Sequence, residues 1–252
     1  MLRTVCLALS CSLTTVLHAQ SETELPLGME PLAEENQPQV TGEGGLGMAV
    51  NRGNTESESL NAKLKLTFEH GRWKHQFVVD ARKTSENEMT IGERYLFTEK
   101  TDYNLSERTY AFGAFRYDDD RFSGFEYQSS LTAGIGWHLI DSDKTRFDLE
   151  VGAGHKESKL ETGLVDEETI GRFGEHFETQ LTDTTRITQD LLVESGSDQT
   201  TSEFNTALNV AMNSHLALQL SFGIKHNSNP PAGLEDTDSV SSINLIYNFG
   251  NH

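Results

Sequence analysis

The chain has 252 residues, 35% of them apolar, and a formal net charge of −19 at pH 7. With its 21 glycines counted the apolar share is about 43%, a little below the ~45–50%, glycine included, of ordinary globular domains, so a water-soluble core of this size is harder to fill. The acidity argues against nucleic acid as a partner, because its phosphates would be repelled.

Residues 1–19 read as a secretory signal, with Arg3 at the positive start, a mostly apolar run from Val5 to Leu17 and a cleavage site at Leu17-His18-Ala19. Cys6 and Cys11, the two cysteines of the chain, both fall inside it, so the exported protein would carry no thiol. No later run reaches the ~18 apolar residues of a transmembrane helix. Residues 20–39 hold Pro26, Pro31 and Pro38 among several acids and read as a disordered periplasmic leader.

From Val40 the pattern changes to strict alternation. In Leu60 to Glu69, the residues Leu60, Ala62, Leu64, Leu66 and Phe68 alternate with Asn61, Lys63, Lys65, Thr67 and Glu69. In Thr145 to His155, Phe147, Leu149, Val151 and Ala153 alternate with Arg146, Asp148, Glu150 and Gly152. A strand made this way has one oily and one charged face, whereas a helix would mix them. A two-faced strand in water needs a second apolar layer, and no segment is left to supply one. Lipid is therefore the expected cover.

Twelve such strands are expected: Val40 to Val50, Glu58 to Glu69, Trp73 to Arg82, Thr90 to Lys100, Arg108 to Tyr117, Tyr127 to Ile140, Thr145 to His155, Gly171 to Leu181, Thr185 to Glu194, Ser202 to Met212, His215 to His226 and Ser239 to Phe249. Most have about ten residues, enough for a tilted strand to cross a bilayer. Nine give a clear phase. In the other three, Glu93 and Arg94 adjoin, Phe112 and Phe115 fall on opposite faces, and Glu175 shares a face with Phe173 and Phe177; each calls for a bulge or an aromatic packed into the lumen.

Long acidic connectors, such as HKESKLETGLVDEETI, alternate with short ones, such as HGR and NS. This parity is what strands crossing a membrane produce, and with an even strand count it puts both termini on the short-turn, periplasmic side. Phe68, Trp73, Trp137, Phe147, Tyr247 and Phe249 fall near the short-turn ends, where an interfacial girdle belongs. The last strand, with Ile243, Leu245, Tyr247 and Phe249 on one face, has the look of the signal read by the barrel-assembly machinery, although the chain runs on through Gly250-Asn251-His252.

Three segments resemble the salt-induced outer-membrane protein family (YdiY-like, of unknown biochemical function): GNTESESLNAKLKL from Gly53, FGAFRYDDDRFSGFEYQSSLTAGIGWHLI from Phe112, and LTDTTRITQDLLVESGSD from Leu181. The resemblance implies an outer-membrane β-barrel of a Gram-negative bacterium with a link to salt stress. It carries over no catalytic residue.

The face opposite the oily one supplies the candidate lumen: Lys63, Lys65, Lys74, Arg82, Arg146, Arg172, Arg186 and Lys225 against Asp80, Asp148, Glu150, Glu178, Asp190 and Glu194. These charges form either a polar pathway or a plug of ion pairs, since unpaired charge away from bulk water is costly. The acidic runs Asp118 to Asp120 and Asp166 to Glu168 read as connectors without the ligand spacing of a calcium loop. Ser129 and His155 meet on the outward face if the hairpin folds about Ser142, but no orienting acid, oxyanion donor or Gly-x-Ser-x-Gly accompanies them. Neither metal spacing nor a cofactor motif is present.

The expectation is an all-β, transmembrane, antiparallel up-and-down barrel in the outer membrane over residues 40–250. It would contact lipid and lipopolysaccharide and serve, without enzymatic activity, as an envelope component or a narrow channel for small polar solutes. The rival readings are a lipase or lipid A hydrolase on the barrel's outer wall and a soluble periplasmic ligand-binding barrel.

Overall fold

Alternation over twelve segments closes on itself. The computed structural model describes residues 38–52, 57–86, 89–120, 123–231 and 233–250, so the expected signal and nearly all of the leader lie outside the described residues. The strands are β1 (Gln39–Arg52), β2 (Ser57–His70), β3 (Trp73–Glu86), β4 (Met89–Asn104), β5 (Thr109–Asp120), β6 (Phe125–Asp141), β7 (Thr145–Leu160), β8 (Val165–Thr182), β9 (Thr185–Ser195), β10 (Thr200–Ala211), β11 (Leu216–Asn227) and β12 (Thr237–Gly250). Each pairs antiparallel with its sequence neighbours, and β1 pairs with β12 from Thr41↔Gly250 to Arg52↔Ser239, closing the barrel. Closure leaves no free sheet edge. The start of β1 and the end of β12 lie together at the short-turn end.

Strands are longer than the alternation alone indicates, mainly at the other end, called here the loop side. The connector after His155 is mostly wall: β7 runs to Leu160 and β8 starts at Val165, with Lys156↔Glu168 and Glu157↔Glu167 in register. Loop-side connections shrink to 53–56, 87–88, 121–124, 161–164, 196–199 and 228–236. The parity in connector length is thus largely a parity in strand extension. The acids expected in loops follow suit: Asp118 and Glu168 are buried strand residues, 4% and 7% exposed.

Outward faces are apolar around the circumference, with Leu46 at 70%, Leu60 at 65%, Leu131 at 64% and Ile243 at 58% exposure. Aromatics gather at two levels. On the turn side Trp73 packs on Tyr103 (4.7 Å between centroids), Phe147 on Phe177 and Tyr247 on Phe249; on the loop side Tyr117 stacks on Tyr127 at 5.5 Å.

The three strands of unclear phase resolve differently. In β4, pairing slips between Thr84 and Ser85 of its partner, and beyond this bulge Arg94 faces inward. In β5, Phe112 is the lumen aromatic, 4% exposed, and Phe115 points outward. In β8 the register is unbroken from Lys159↔Val165 to Thr145↔Thr179; Phe173, Glu175 and Phe177 all stay on the outward face, and Glu175 accepts a hydrogen bond from Gln189 (3.3 Å).

Candidate functional site: the lumen

Glycine on β6 and β7 decides what the lumen wall can hold. A Cβ on Gly136 would run into the Tyr110 ring, and one on Gly134 or Gly152 would press on both Phe112 and neighbouring backbone. Both rings therefore lie flat on the β6–β7 wall, in seats that any larger residue would fill. From there the Tyr110 hydroxyl donates to Glu150 Oε1 (2.9 Å), which also pairs with Lys100, while Arg172 reaches Glu150 Oε2 (3.3 Å). Lys100 and Arg172 both lie over the Phe112 face, at 5.6 and 5.4 Å. His138 and Arg146 hold Asp148 at 2.7 and 3.0 Å. Every charge in this cluster has a partner, as burial in a lumen requires.

Because these side chains lie along the wall, the turn-side half of the barrel is open. It contains a cavity of about 860 Å³, lined from the turn residues Gly71, Asp183 and Thr184 up to Asp120, Lys225 and Asp238. Thirteen of the fourteen residues expected to face the lumen line it: Lys63, Lys65, Lys74, Asp80, Arg82, Arg146, Asp148, Glu150, Arg172, Glu178, Arg186, Asp190 and Lys225; the fourteenth, Glu194, lies in the loop-side half.

The loop-side half is filled. Asp118 on β5 accepts two hydrogen bonds from Arg94 (2.9 and 2.8 Å), one from Arg116 (3.1 Å), and a long one from Lys225 on β11 (3.4 Å). Arg116 also donates to Glu203 on β10 at 2.7 Å. β5 and β10–β11 stand on opposite walls of the barrel, so these bonds cross the lumen. Above them Ser130 on β6 donates to Glu194 on β9 (3.0 Å) and Lys156 on β7 to Thr201 on β10 (3.3 Å). What space remains is a void of about 20 Å³, room for roughly one water. At the mouth Gly124, held at φ +73°, sits against Pro231 and Leu234 of the 228–236 connection. A Cβ there would come within 2.8 Å of Leu234.

The sequence reading missed this plug: Arg94, Arg116, Asp118 and Glu203 were not among the expected lumen residues. Three lie on the strands whose phase was unclear or on an acidic run read as a connector. The alternation of Glu203 with Ser202 and Phe204 was a usable signal for the fourth.

Ser129 and His155 do not meet. The β6–β7 turn is centred beyond Ser142 and the pairing slips between His138 and Ile140, so Leu131 stands opposite His155 and Ser129 opposite Glu157. Glu157 is engaged by the Tyr127 hydroxyl (2.5 Å) and His155 lies 3.7 Å from Glu167. Among the described residues, no three His, Cys, Asp or Glu side chains are grouped to hold a metal ion.

A closed, antiparallel twelve-stranded barrel with a polar, ion-paired lumen and an apolar outer wall defines a porin-like β-barrel. Within that class the chain belongs to the family described as "Protein of unknown function, DUF481", whose model matches residues 44–249. It is 29% identical over 234 residues to "Uncharacterized protein YdiY" of Escherichia coli (strain K12), covering 92% of each chain. Among solved structures it is similar to the NanC porin, with a TM-score of 0.55 at 10% identity over 82% of this chain and 98% of that one. At such identity the likeness concerns the fold.

Proposed function

We propose that the protein is a non-enzymatic outer-membrane barrel that admits small polar solutes and ions from the periplasmic side into a vestibule and passes them outward only when the loop-side plug yields. The observation that carries this reading is the division of one lumen into an open half and a half crossed by the Arg116–Glu203 and Lys225–Asp118 bonds.

The membrane is inferred from the outer wall. An apolar belt around the whole circumference far exceeds the few hundred Å² that soluble monomers expose, which disfavours a soluble ligand-binding barrel. Along β4, Tyr103 and Tyr95 are both outward and eight residues apart, roughly 20 Å of height at a ~40° tilt, comparable to the apolar band of outer-membrane barrels. On this reading the short-turn end is periplasmic, the loop rim meets lipopolysaccharide, and β12 carries the signal for assembly. The link to salt stress rests on the family resemblance, and an expression response to raised NaCl is its test.

Planar-bilayer recording tests the pathway. The wild-type barrel should give rare, small conductance steps, and the double variant Arg116→Ser/Glu203→Ser, which removes both ends of the shortest cross-lumen pair, should give stable steps several-fold larger. Silence from a folded, inserted double variant would leave only a structural role in the envelope.

A further inference from the structure

The vestibule has two unlike walls. From β4 to β9 its charges are bound to one another. From β10 to β12 the turn-side half carries no charged lumen residue; there Gln219 donates to Asn209 (2.8 Å), Asn244 to Gln219 (3.1 Å), and Asn61 on β2 to Asn244 (2.8 Å). The last bond passes over β1 because Gly47 has no side chain: a Cβ there would meet the Asn244 amide. Four amides thus form one polarised row, and its end is open. Asn61 Oδ1, at the β2 end, is buried and accepts no hydrogen bond.

Beside that open end the charge pattern changes. Glu43 stands opposite Lys65, and Lys63 opposite Asp80, in the registers of β1, β2 and β3. Opposite charges facing each other across strands normally pair, as Arg94 with Asp120 and Lys225 with Glu203 do higher in this lumen. Among the described residues, none of these four makes an ion pair or side-chain hydrogen bond, although all four line the cavity. Two ammonium groups and two carboxylates are therefore held next to each other with their hydrogen-bonding capacity unspent.

We propose that Glu43, Lys63, Lys65 and Asp80, together with the free Asn61 carbonyl, form a binding subsite for small zwitterionic solutes of the amino-acid or short-peptide class. A solute of one sign meets as much repulsion as attraction there, and a neutral polyol gains nothing from the charges. A zwitterion sets its carboxylate on the lysines, its ammonium on the carboxylates and an N–H on Asn61. The vestibule opens toward the turn side, and access from the periplasm rests on the pathway proposed above.

Calorimetry on the folded wild-type barrel in detergent, with probes of matched size, tests the subsite. Glycylglycine should bind at least tenfold more tightly than N-acetylglycine, which lacks the ammonium, or glycylglycinamide, which lacks the carboxylate. The advantage should disappear in Lys63→Met/Lys65→Met and in Glu43→Gln. Equal binding of the three probes, or no binding of glycylglycine, overturns the proposal, and this comparison needs no variant to fold. Selective binding sustains the subsite even if the plug-relieved variant carries no current. Current through that variant without glycylglycine binding removes the subsite and leaves the pathway standing.

Discussion

Lys225 on β11 reaches across the lumen to Asp118 on β5, Nζ to Oδ2 at 3.4 Å, and Asp118 is 4% exposed. The two ends of this bond are not equivalent. Asp118 also holds Arg94 through both carboxylate oxygens and Arg116 through one, whereas Lys225 has the distant Glu203 (3.9 Å) as a second partner. Removing Asp118 takes a partner from three buried cations at once, and removing Lys225 leaves the acid doubly paired. Asp118→Asn should therefore cost about 3–5 kcal/mol of unfolding free energy, and Lys225→Met about 1.5 kcal/mol, the low end for a hydrogen bond to a charged group. Urea titration of the barrel in vesicles, followed by Trp fluorescence, measures both. Equal losses would show that the network does not hinge on Asp118.

The Tyr110 seat makes a sharper local prediction. Gly136→Ala places a methyl where the Tyr110 ring lies, so the ring must lift from the wall and its hydroxyl leaves Glu150. Losing a hydrogen bond to a charged acceptor costs about 1.5–3 kcal/mol. Tyr110→Phe loses the same bond without moving the ring, so Gly136→Ala on a Tyr110→Phe background should cost less than on wild type. An additive double variant would mean that the ring is not displaced.

The architecture was legible in the alternation because lipid outside and charge inside impose a period of two on every strand. Leu60 to Glu69 and Thr145 to His155 each declare both faces, and thirteen of the fourteen residues read as lumenal line one cavity. The division of the lumen was not legible. Arg116 and Glu203 are 87 positions apart in sequence, and nothing local to either strand says that their side chains meet across a barrel. The phase of β5 was ambiguous because Phe112 is an inward aromatic, and the glycines that seat it lie on two other strands. The Ser129–His155 register failed for a smaller reason: Asp141 pairs with Arg146, so the turn is centred past Ser142, and the slip past His138 makes up only part of the difference.

One polar cluster sits on the outward wall. Thr101 donates to Glu99 (2.5 Å) and accepts from His75 Nδ1 (2.7 Å), just above the Trp73–Tyr103 contact. In an apolar setting a carboxylate depends on its partner, so Thr101→Val should destabilise by about 1.5–3 kcal/mol. Replacing both ends by apolar groups removes the orphaned acid, and Thr101→Val/Glu99→Leu should recover most of that loss. If the double variant is as unstable as the sum of the single ones, the two side chains do not act as a pair in the folded barrel.

Depth along the outer wall gives the most direct check of the membrane reading. Leu64 lies on β2 four residues above Phe68, in register with Gly44 on one side and Val79 on the other, with no outward charge next to it. Leu149 also faces outward, but it lies only four residues from Thr145, where β7 begins, and its cross-strand neighbours are Trp137 and Glu175. An arginine at Leu64 would sit near the middle of the apolar band and should cost about 2–4 kcal/mol, while one at Leu149, at girdle level and beside a carboxylate, should cost about 0–1 kcal/mol. The difference depends on lipid, because detergent lets a long side chain find water at any depth. Unfolding both variants in phospholipid vesicles and again in a short-chain detergent should show the gap in the first and its collapse in the second. A gap that persists unchanged in detergent would place protein, not lipid, against Leu64.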